Sequence, residues 1–385
     1  VTERTGLYEP VVSDLSLRPT YLEVDVGQLA ANYASIRRRV GAADVMPVLK
    51  ANAYGHGLVP VARLYEKLGA RILGVAYLEE AIRLRESGVG ASILVLGGIL
   101  GSQIPLYLDH DLILAASSVD KLRNIDEIAG ATGRVARVHL KVDTGMERLG
   151  VHWYSATPLL EASLTCRNVR VEGIFSHLAN ADAADLGHAR LQLERFLEVT
   201  SFFERRSVPT PTRHLANSGG VAQLPEAWLD LVRPGILLYG VYPSADCRRT
   251  VDVAPALTWR SHVVYFKVIQ AGNPVGYGST WRSDHDVRAV TVPVGYGDGY
   301  PRRMSGRAEV LIAGRRHPVV GTICMDQVVV NLEQGTAYNG DDVVLLGANG
   351  HDRITVEELA DWAGTIPYEI LTGINTRVPR VYVGG

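Results

Sequence analysis

Between Val45 and Tyr239, eight apolar, β-branched-rich runs alternate with amphipathic stretches, and this alternation limits the possible folds more than anything else in the sequence. The runs are Val45–Ala51, Ile72–Tyr77, Ile93–Gly98, Leu112–Ser117, Arg137–Asp143, Glu172–His177, Thr212–Asn217 and Leu231–Tyr239. Leu78–Ser87, Val119–Ala129 and Asp185–Arg206 lie between them and carry apolar side chains at helical spacing. Strand followed by helix, eight times over about two hundred residues, predicts an α/β architecture of the (β/α)8 barrel type. A doubly wound open sheet is the rival, distinguished by a reversal of strand order that a sequence does not display.

Upstream, Tyr21–Val26 alternates like a half-buried strand and Gly27–Arg39 reads as a helix. The rhythm changes beyond Tyr242. Leu257–Val268, Val287–Val294, Ala308–Ile312, Val319–Ile323, Gln327–Leu332 and Asp342–Leu346 are predicted strands separated by Gly- and Asp-rich turns. One short helix is predicted at Val356–Ala363, ahead of a last strand near Arg377–Val383. GYGDG (Gly295–Gly299) has no helix after it and reads as a turn rather than a nucleotide loop. The expected organisation is a leader over 1–20, a barrel over 21–252 and a mostly β C-terminal domain over 253–385. At 385 residues, division into two domains is the natural expectation.

A net charge of −2 provides no basic field for nucleic acid, and no run of apolar residues is long enough to span a membrane. Cys166, Cys247 and Cys324 lack metal spacing, and residues 1–18 lack the apolar core of a signal peptide, so a cytoplasmic protein with reduced thiols is expected.

Chemistry is expected at the C-terminal ends of the barrel strands. Lys50, Lys141 with Asp143, His177, Asn217 with Ser218, and Arg233 all fall at such ends. Lys50 is the most informative, within VLKANAYGHG (Val48–Gly57). An amine at the end of a buried strand is poorly solvated, which lowers its pKa and favours the neutral form that a Schiff base requires. The glycines around His56 open a helical pattern whose first amides suit a phosphate, and a lysine beside a phosphate seat suggests pyridoxal phosphate. A lysine that merely snorkels from a strand end fits the same ten residues. His139, His177 and His214 also fall on barrel strands, which admits a metal-dependent hydrolase, but no carboxylate stands at ligand spacing and no metal is expected.

Seven segments together resemble the alanine racemase family. They are VLKANAYGHG, KVDTGMERLG (Lys141–Gly150), FSHLANAD (Phe175–Asp182), HLANSG (His214–Gly219), LVRPGILLYG (Leu231–Gly240), VGYGST (Val275–Thr280) and GTICMDQ (Gly321–Gln327), in family order. The resemblance implies a homodimeric enzyme that interconverts L- and D-alanine by two-base proton transfer on a pyridoxal-phosphate aldimine, supplying D-alanine for peptidoglycan. Lys50 would hold the cofactor and act on one face of the α-carbon, and Tyr277 on the other. Arg148 would clamp the substrate carboxylate and support the anionic form of Tyr277. Tyr54, Ser218 and the amides of Gly235 and Ile236 would bind the phosphate, and Arg233, backed by His177, would face the ring nitrogen. Met325 and Asp326 would reach the substrate from the β domain of the partner chain, so that each site is shared. Tyr296, Arg302 and Asp182 would line the entry corridor, and Lys141 matches a position that the family often carbamylates.

Two positions depart from the family pattern. Thr376 stands where some members have a gate tyrosine, and Thr322 where some have a corridor arginine. The extra room leaves a broader racemase, acting on serine or basic amino acids, as an alternative, because one methylene in such a pocket is worth only about 1–3 kcal/mol. A pyridoxal-phosphate carrier without turnover is the other alternative, although a carrier has no need of a second base such as Tyr277.

Overall fold

The computed structural model describes residues 18–384, and the chain forms two units, 29–254 and the C-terminal residues from 255 together with those up to Gln28. The part of the expected leader that precedes residue 18 lies outside the described residues. The first strand, β1 (Tyr21–Asp25), belongs to the second unit rather than to the barrel.

The first unit is a closed barrel. Its strands are β2 (Asp44–Val45), β3 (Ile72–Val75), β4 (Ser92–Val95), β5 (Leu114–Ala116), β6 (Ala136–Asp143), β8 (Val169–Phe175), β9 (Thr212–His214) and β10 (Leu231–Val232), with a two-residue strand β7 (Val151–His152) beside the end of β6. Parallel pairing runs β2–β10–β9–β8–β6–β5 and β3–β4. Parallel bridges from Val48 to Gly74 and from Leu94 to Ile113 close the remaining gaps. Closure rules out the open doubly wound sheet. Met46, Leu94, Ile113 and Leu231 pack together inside it. Helices form where the amphipathic stretches placed them, at Leu78–Glu86, Val119–Ala131 and Gly187–Arg205. Ser118 starts the second of these by accepting the Lys121 amide, which satisfies an otherwise orphaned donor.

The second unit is built on a sheet of β11 (Leu257–His262), β12 (Tyr265–Ile269), β13 (Val287–Val292), β14 (Glu309–Ile312), β15 (Arg315–Val320), β16 (Val328–Glu333), β17 (Asp342–Asn349), β18 (Asp352–Ile354) and β19 (Arg380–Val383), with β1 inserted between β11 and β19. The expectation that the barrel begins at residue 21 is therefore corrected. Tyr21–Val24 pairs antiparallel with Leu257–Arg260, and Leu22–Asp25 runs parallel to Arg380–Val383. The continuous strand expected over Leu257–Val268 divides in two because the Val263 amide turns to Asp341 and the Val264 amide to Thr291. The helix Val356–Ala363 has a capping box between Thr355 and Glu358 and ends at Gly364, whose φ of 64° suits the glycine. A further helix, Pro367–Gly373, had no periodic signal in the sequence.

Candidate functional site

Lys50 follows the strand end at Val48 and begins a turn of unusual hand. Ala51, Asn52, Ala53 and Tyr54 all have φ between 51° and 55°, a left-handed turn built without glycine. L-residues resist this conformation by about 1–2 kcal/mol each, so neighbouring groups must hold it. Several do. The Ala51 amide donates to Glu80 at 2.7 Å, and the other Glu80 oxygen accepts the amides of Ala76 and Tyr77. The Asn52 side chain accepts the Leu58 amide at 2.8 Å, while its carbonyl accepts that of Gly57. The Leu58 amide that opens the helix Leu58–Lys67 is thus already engaged, which makes that helix start less available to a phosphate than the sequence suggests.

Tyr239, which the sequence reading did not single out, braces the same segment. Its hydroxyl donates to the Val48 carbonyl at 3.1 Å, and its ring lies 5.0 Å from that of Tyr54 and 4.5 Å from that of His56. The Lys50 side chain emerges at the mouth, open to an incoming molecule. Burial of its amine by the surrounding wall, and then the Arg148 guanidinium, lower its pKa, with Glu80 opposing and Arg233 reinforcing.

Arg233 is buried and follows β10. It donates to His214 Nδ1 at 2.9 Å, to the carbonyls of Ser176 and Leu215 at 2.6 and 3.2 Å, and to His177 Nδ1 at 3.3 Å. Burial lowers its pKa to about 9, which leaves it charged at neutral pH. His214 continues to His139, with Nε2 2.8 Å from His139 Nδ1. All three histidines are held neutral: burial followed by the Arg233 charge pushes His177 and His214 well below the ordinary value, and burial brings His139 to about 4. His139 and His214 thus serve each other and Arg233. Among the described residues, no three His, Cys, Asp or Glu side chains gather as a metal site.

Lys141, at the end of β6, is also buried, with Nζ 5.0 Å from the centre of the Phe175 ring and donating to the Val142 carbonyl. Burial and then Arg233 lower its pKa to about 7, against a smaller opposing effect of Asp143. Asp143 organises the next loop by accepting the amides of Gly145, Met146 and Arg148. The Arg148 guanidinium makes no hydrogen bond with another described residue, and its charge depresses Lys50, Lys141 and His177 alike. Gln192, fully buried on the helix Gly187–Arg205, donates to the His177 carbonyl and accepts the Ala179 amide, while Thr144 lies 3.4 Å from its Nε2. It joins the loop bearing Arg148 to the loop bearing His177.

The Ser218 hydroxyl accepts the amides of Gly235 and Leu237 at 2.9 and 3.3 Å, leaving its own proton free to point elsewhere. Gly235's amide is therefore already engaged, whereas that of Ile236 heads the turn Ile236–Tyr239 and is not used within it. A Cβ on Gly235 would stand 2.2 Å from the Tyr54 hydroxyl, so only glycine fits beneath that phenol. Asp182 packs its backbone against Gly219, next to Ser218, and its carbonyl accepts from Ser244.

The second unit carries the other expected residues. Tyr277, Tyr296 and Met325 are 71%, 41% and 52% exposed. Tyr296 and Gly297 donate their amides to the carbonyls of Cys324 and Met325, which binds the GYGDG turn to the GTICMDQ loop. Arg377 donates to Asp298 and Asp326, each at 2.7 Å. Thr376 stands beside it with its hydroxyl 3.5 Å from the Asn375 side chain, Arg302 begins the turn Arg302–Met304, and Thr322 donates to the Tyr277 carbonyl.

The barrel rim therefore gathers two amines with lowered pKa, two guanidinium groups, a neutral imidazole and a cradle of Tyr54, Ser218 and Ile236 around Gly235. Cationic and hydroxyl donors with few carboxylates suit an anionic aldehyde such as pyridoxal phosphate.

Family models described as alanine racemase, N-terminal domain, and alanine racemase, C-terminal domain, match residues 24–243 and 256–382. The alanine racemase of Symbiobacterium thermophilum is 44% identical over 96% of this chain and 98% of its own length. The crystal structure of alanine racemase from D-cycloserine-producing Streptomyces lavendulae superposes with a TM-score of 0.91 at 38% identity, covering 96% of this chain and 98% of the other. Alanine racemase from Bartonella henselae, solved with covalently bound pyridoxal phosphate, superposes with a TM-score of 0.85 at 29% identity, covering 95% and 99%.

Proposed function

The chain belongs to the alanine racemase family, and from that premise we propose that Lys50 and Tyr277 act as the two bases on opposite sides of one α-carbon. The reaction is the interconversion of L- and D-alanine, with pyridoxal phosphate as cofactor. When bound, pyridoxal phosphate supplies an aldehyde for an amine to condense with and a ring that draws electrons from the bond to the α-hydrogen.

Lys50 would hold the cofactor through its Nζ, and the same amine would accept or return a proton at the α-carbon. Its lowered pKa makes the neutral amine available nearer to neutral pH. Tyr277 Oη does the same from the opposite face, so a proton taken from one side is replaced from the other. Arg148, free of hydrogen bonds to other described side chains, pairs with the substrate carboxylate. Arg233 would face the ring nitrogen as a donor that keeps its own proton, which would limit how far negative charge spreads from the α-carbon and favour return of a proton over other outcomes. Tyr54, Ser218 and the Ile236 amide hold the phosphate, and His177 supports Arg233.

The observation that carries this reading is a buried arginine, Arg233, backed by neutral histidines, on the same barrel rim as an amine whose pKa burial and the Arg148 charge lower. Absorption spectra before and after borohydride, followed by peptide mapping, test it: a near-visible band should disappear and leave the cofactor on the Lys50 peptide. Cofactor trapped elsewhere would sink the assignment.

The same reading makes the enzyme a homodimer in which Met325, Asp326 and Tyr277 serve the partner's barrel, with Tyr296, Arg302, Asp182, Thr322 and Thr376 along the way in. The exposure of Tyr277 and Met325 supports it. Sedimentation should show a dimer, and mixing Lys50→Ala with Tyr277→Phe chains should restore activity in a fraction of sites. Three unpaired cysteines support a cytoplasmic location, where D-alanine would enter peptidoglycan synthesis. No described helix is long and apolar enough to cross a membrane. Small threonines at 322 and 376 favour a secondary activity on serine, which assays of L-Ala, L-Ser, L-Lys and L-Arg side by side would measure.

A further inference from the structure

We propose that Thr322 is a positioning residue for Tyr277, its hydroxyl holding the turn from which the phenol projects. The inference rests on the reading that Tyr277 acts at the α-carbon.

Tyr277 begins a short 3-10 turn, Tyr277–Ser279. Gly276, Gly278 and Ser279 have φ of 73°, 74° and 53°, so the backbone around the phenol is left-handed on both sides, once without glycine. The turn supplies little of its own support. The Ser279 amide reaches the Gly276 carbonyl at 3.3 Å, and the Val275 amide reaches Trp281 at 3.0 Å across the base. Within its own chain the phenol is mostly exposed, so what this chain contributes to its direction comes through the backbone.

One side-chain bond reaches that backbone. Thr322 Oγ1 donates to the Tyr277 carbonyl at 2.8 Å, and among the described residues no other side chain hydrogen-bonds to the backbone of 276–279. Thr280 Oγ1 lies 3.4 Å from the same hydroxyl. Thr322 is itself fixed from both sides. The next amide, of Ile323, donates to Ser305, and Gly321 lies so close to Val275 that an added Cβ would be 2.8 Å from its carbonyl oxygen. The hydroxyl is thus a strut between a well-supported strand end and a poorly supported turn. An arginine here would extend into the corridor and leave no short hydroxyl at this carbonyl.

A base displaced by a fraction of an ångström from its proton loses rate without losing affinity. Thr322→Val keeps the shape and removes the donor, leaving the Tyr277 carbonyl to water. The test uses the holoenzyme with L-alanine and D-alanine, each unlabelled and α-deuterated. In Thr322→Val, kcat is expected to fall about threefold to tenfold, the range one net hydrogen bond sets, with KM nearly constant. The primary isotope effect should rise for the enantiomer whose α-proton Tyr277 removes and stay unchanged for the other. Equal energies of the two enantiomers tie the two kcat/KM values together, but leave the isotope effects free to differ. Thr322→Ser should restore the wild-type pattern, and the cofactor spectrum should be the same in all variants. If Thr322→Val folds poorly, Thr322→Ala is expected to give the same asymmetry. A wild-type rate in the Val or Ala variant, or isotope effects that rise equally for both enantiomers, would overturn the proposal. Tyr277→Phe separates the two levels: racemisation surviving in that variant sinks the role of Tyr277 itself, whereas its loss beside an unaffected Thr322→Val sinks only the strut.

Discussion

Arg233 donates to Nδ1 of His214 at 2.9 Å, and this one contact sets the tautomers of two histidines. A guanidinium has no lone pair to offer, so His214 Nδ1 must accept and its proton must sit on Nε2. That proton points at His139 Nδ1, 2.8 Å away, which accepts in turn and leaves His139 protonated on Nε2. The arginine expected to meet the cofactor is therefore backed by neutral, aligned rings.

Nitrogen-15 NMR should find both rings neutral and in the Nε2–H tautomer from neutral pH down to about pH 5, given a His139 pKa of about 4. Because the folded pKa lies below the unfolded one near 6.5, the unfolded chain binds more protons in this window. Stability is fully present above about pH 6.5 and falls as the pH drops toward 4. Urea midpoints measured across that range should decline on the acid side, and a flat profile would remove the account of the buried histidines.

Gly235→Ala should damage cofactor binding more than folding. Its Cβ would meet the Tyr54 hydroxyl at 2.2 Å, and Tyr54 is buried against Tyr239 with little space to withdraw. Overpacking of this kind costs about 1–3 kcal/mol. Titration with pyridoxal phosphate should show weaker binding, and Tyr54→Phe in the same chain should recover part of the lost thermal stability without restoring cofactor affinity.

Gln192→Leu removes the partner of the His177 carbonyl and of the Ala179 amide, both close to the barrel mouth. Leaving buried polar groups unpaired costs about 1–3 kcal/mol each, so denaturation should shift clearly. KM for alanine should also rise, because the loop carrying Arg148 loses its link to the loop carrying His177. A shift in stability with KM unchanged would confine Gln192 to folding.

Lys141 is buried near Arg233 and Arg148 with a pKa of about 7, so its amine is partly neutral under ordinary conditions and able to take up carbon dioxide. A carbamate there would exchange repulsion of Arg148 for attraction. Native mass analysis in bicarbonate should show the adduct, Lys141→Ala should abolish it, and KM for alanine should rise by about tenfold when the charged contact to Arg148 is lost.

Much of the barrel was readable because each strand and its covering helix are neighbours in sequence, and their apolar spacing differs in period. The destination of β1 was not. Tyr21–Asp25 alternates like any half-buried strand, and its partners Leu257–Arg260 and Arg380–Val383 come from the far end of the chain. At the rim, Lys50, Lys141 and Arg233 stood out because charge at the end of an apolar run is conspicuous. Glu80, Gln192 and Tyr239 did not, since a polar residue on an amphipathic helix or a tyrosine in an apolar run looks ordinary until its partners are in view. The occupation of the helix start near Gly57 was hidden for a related reason: a side chain six residues before Leu58, that of Asn52, takes the Leu58 amide.

The left-handed turn after Lys50 has a consequence for anyone transplanting this motif. Ala51, Asn52, Ala53 and Tyr54 would relax to the ordinary hand in a free peptide, and they keep their shape here because Glu80, Leu58, Gly57 and Tyr239 grip them from outside. Copying the ten letters from Val48 to Gly57 into a foreign barrel would carry over the reactive amine but not its aim. A designer would have to import the surrounding grip as well.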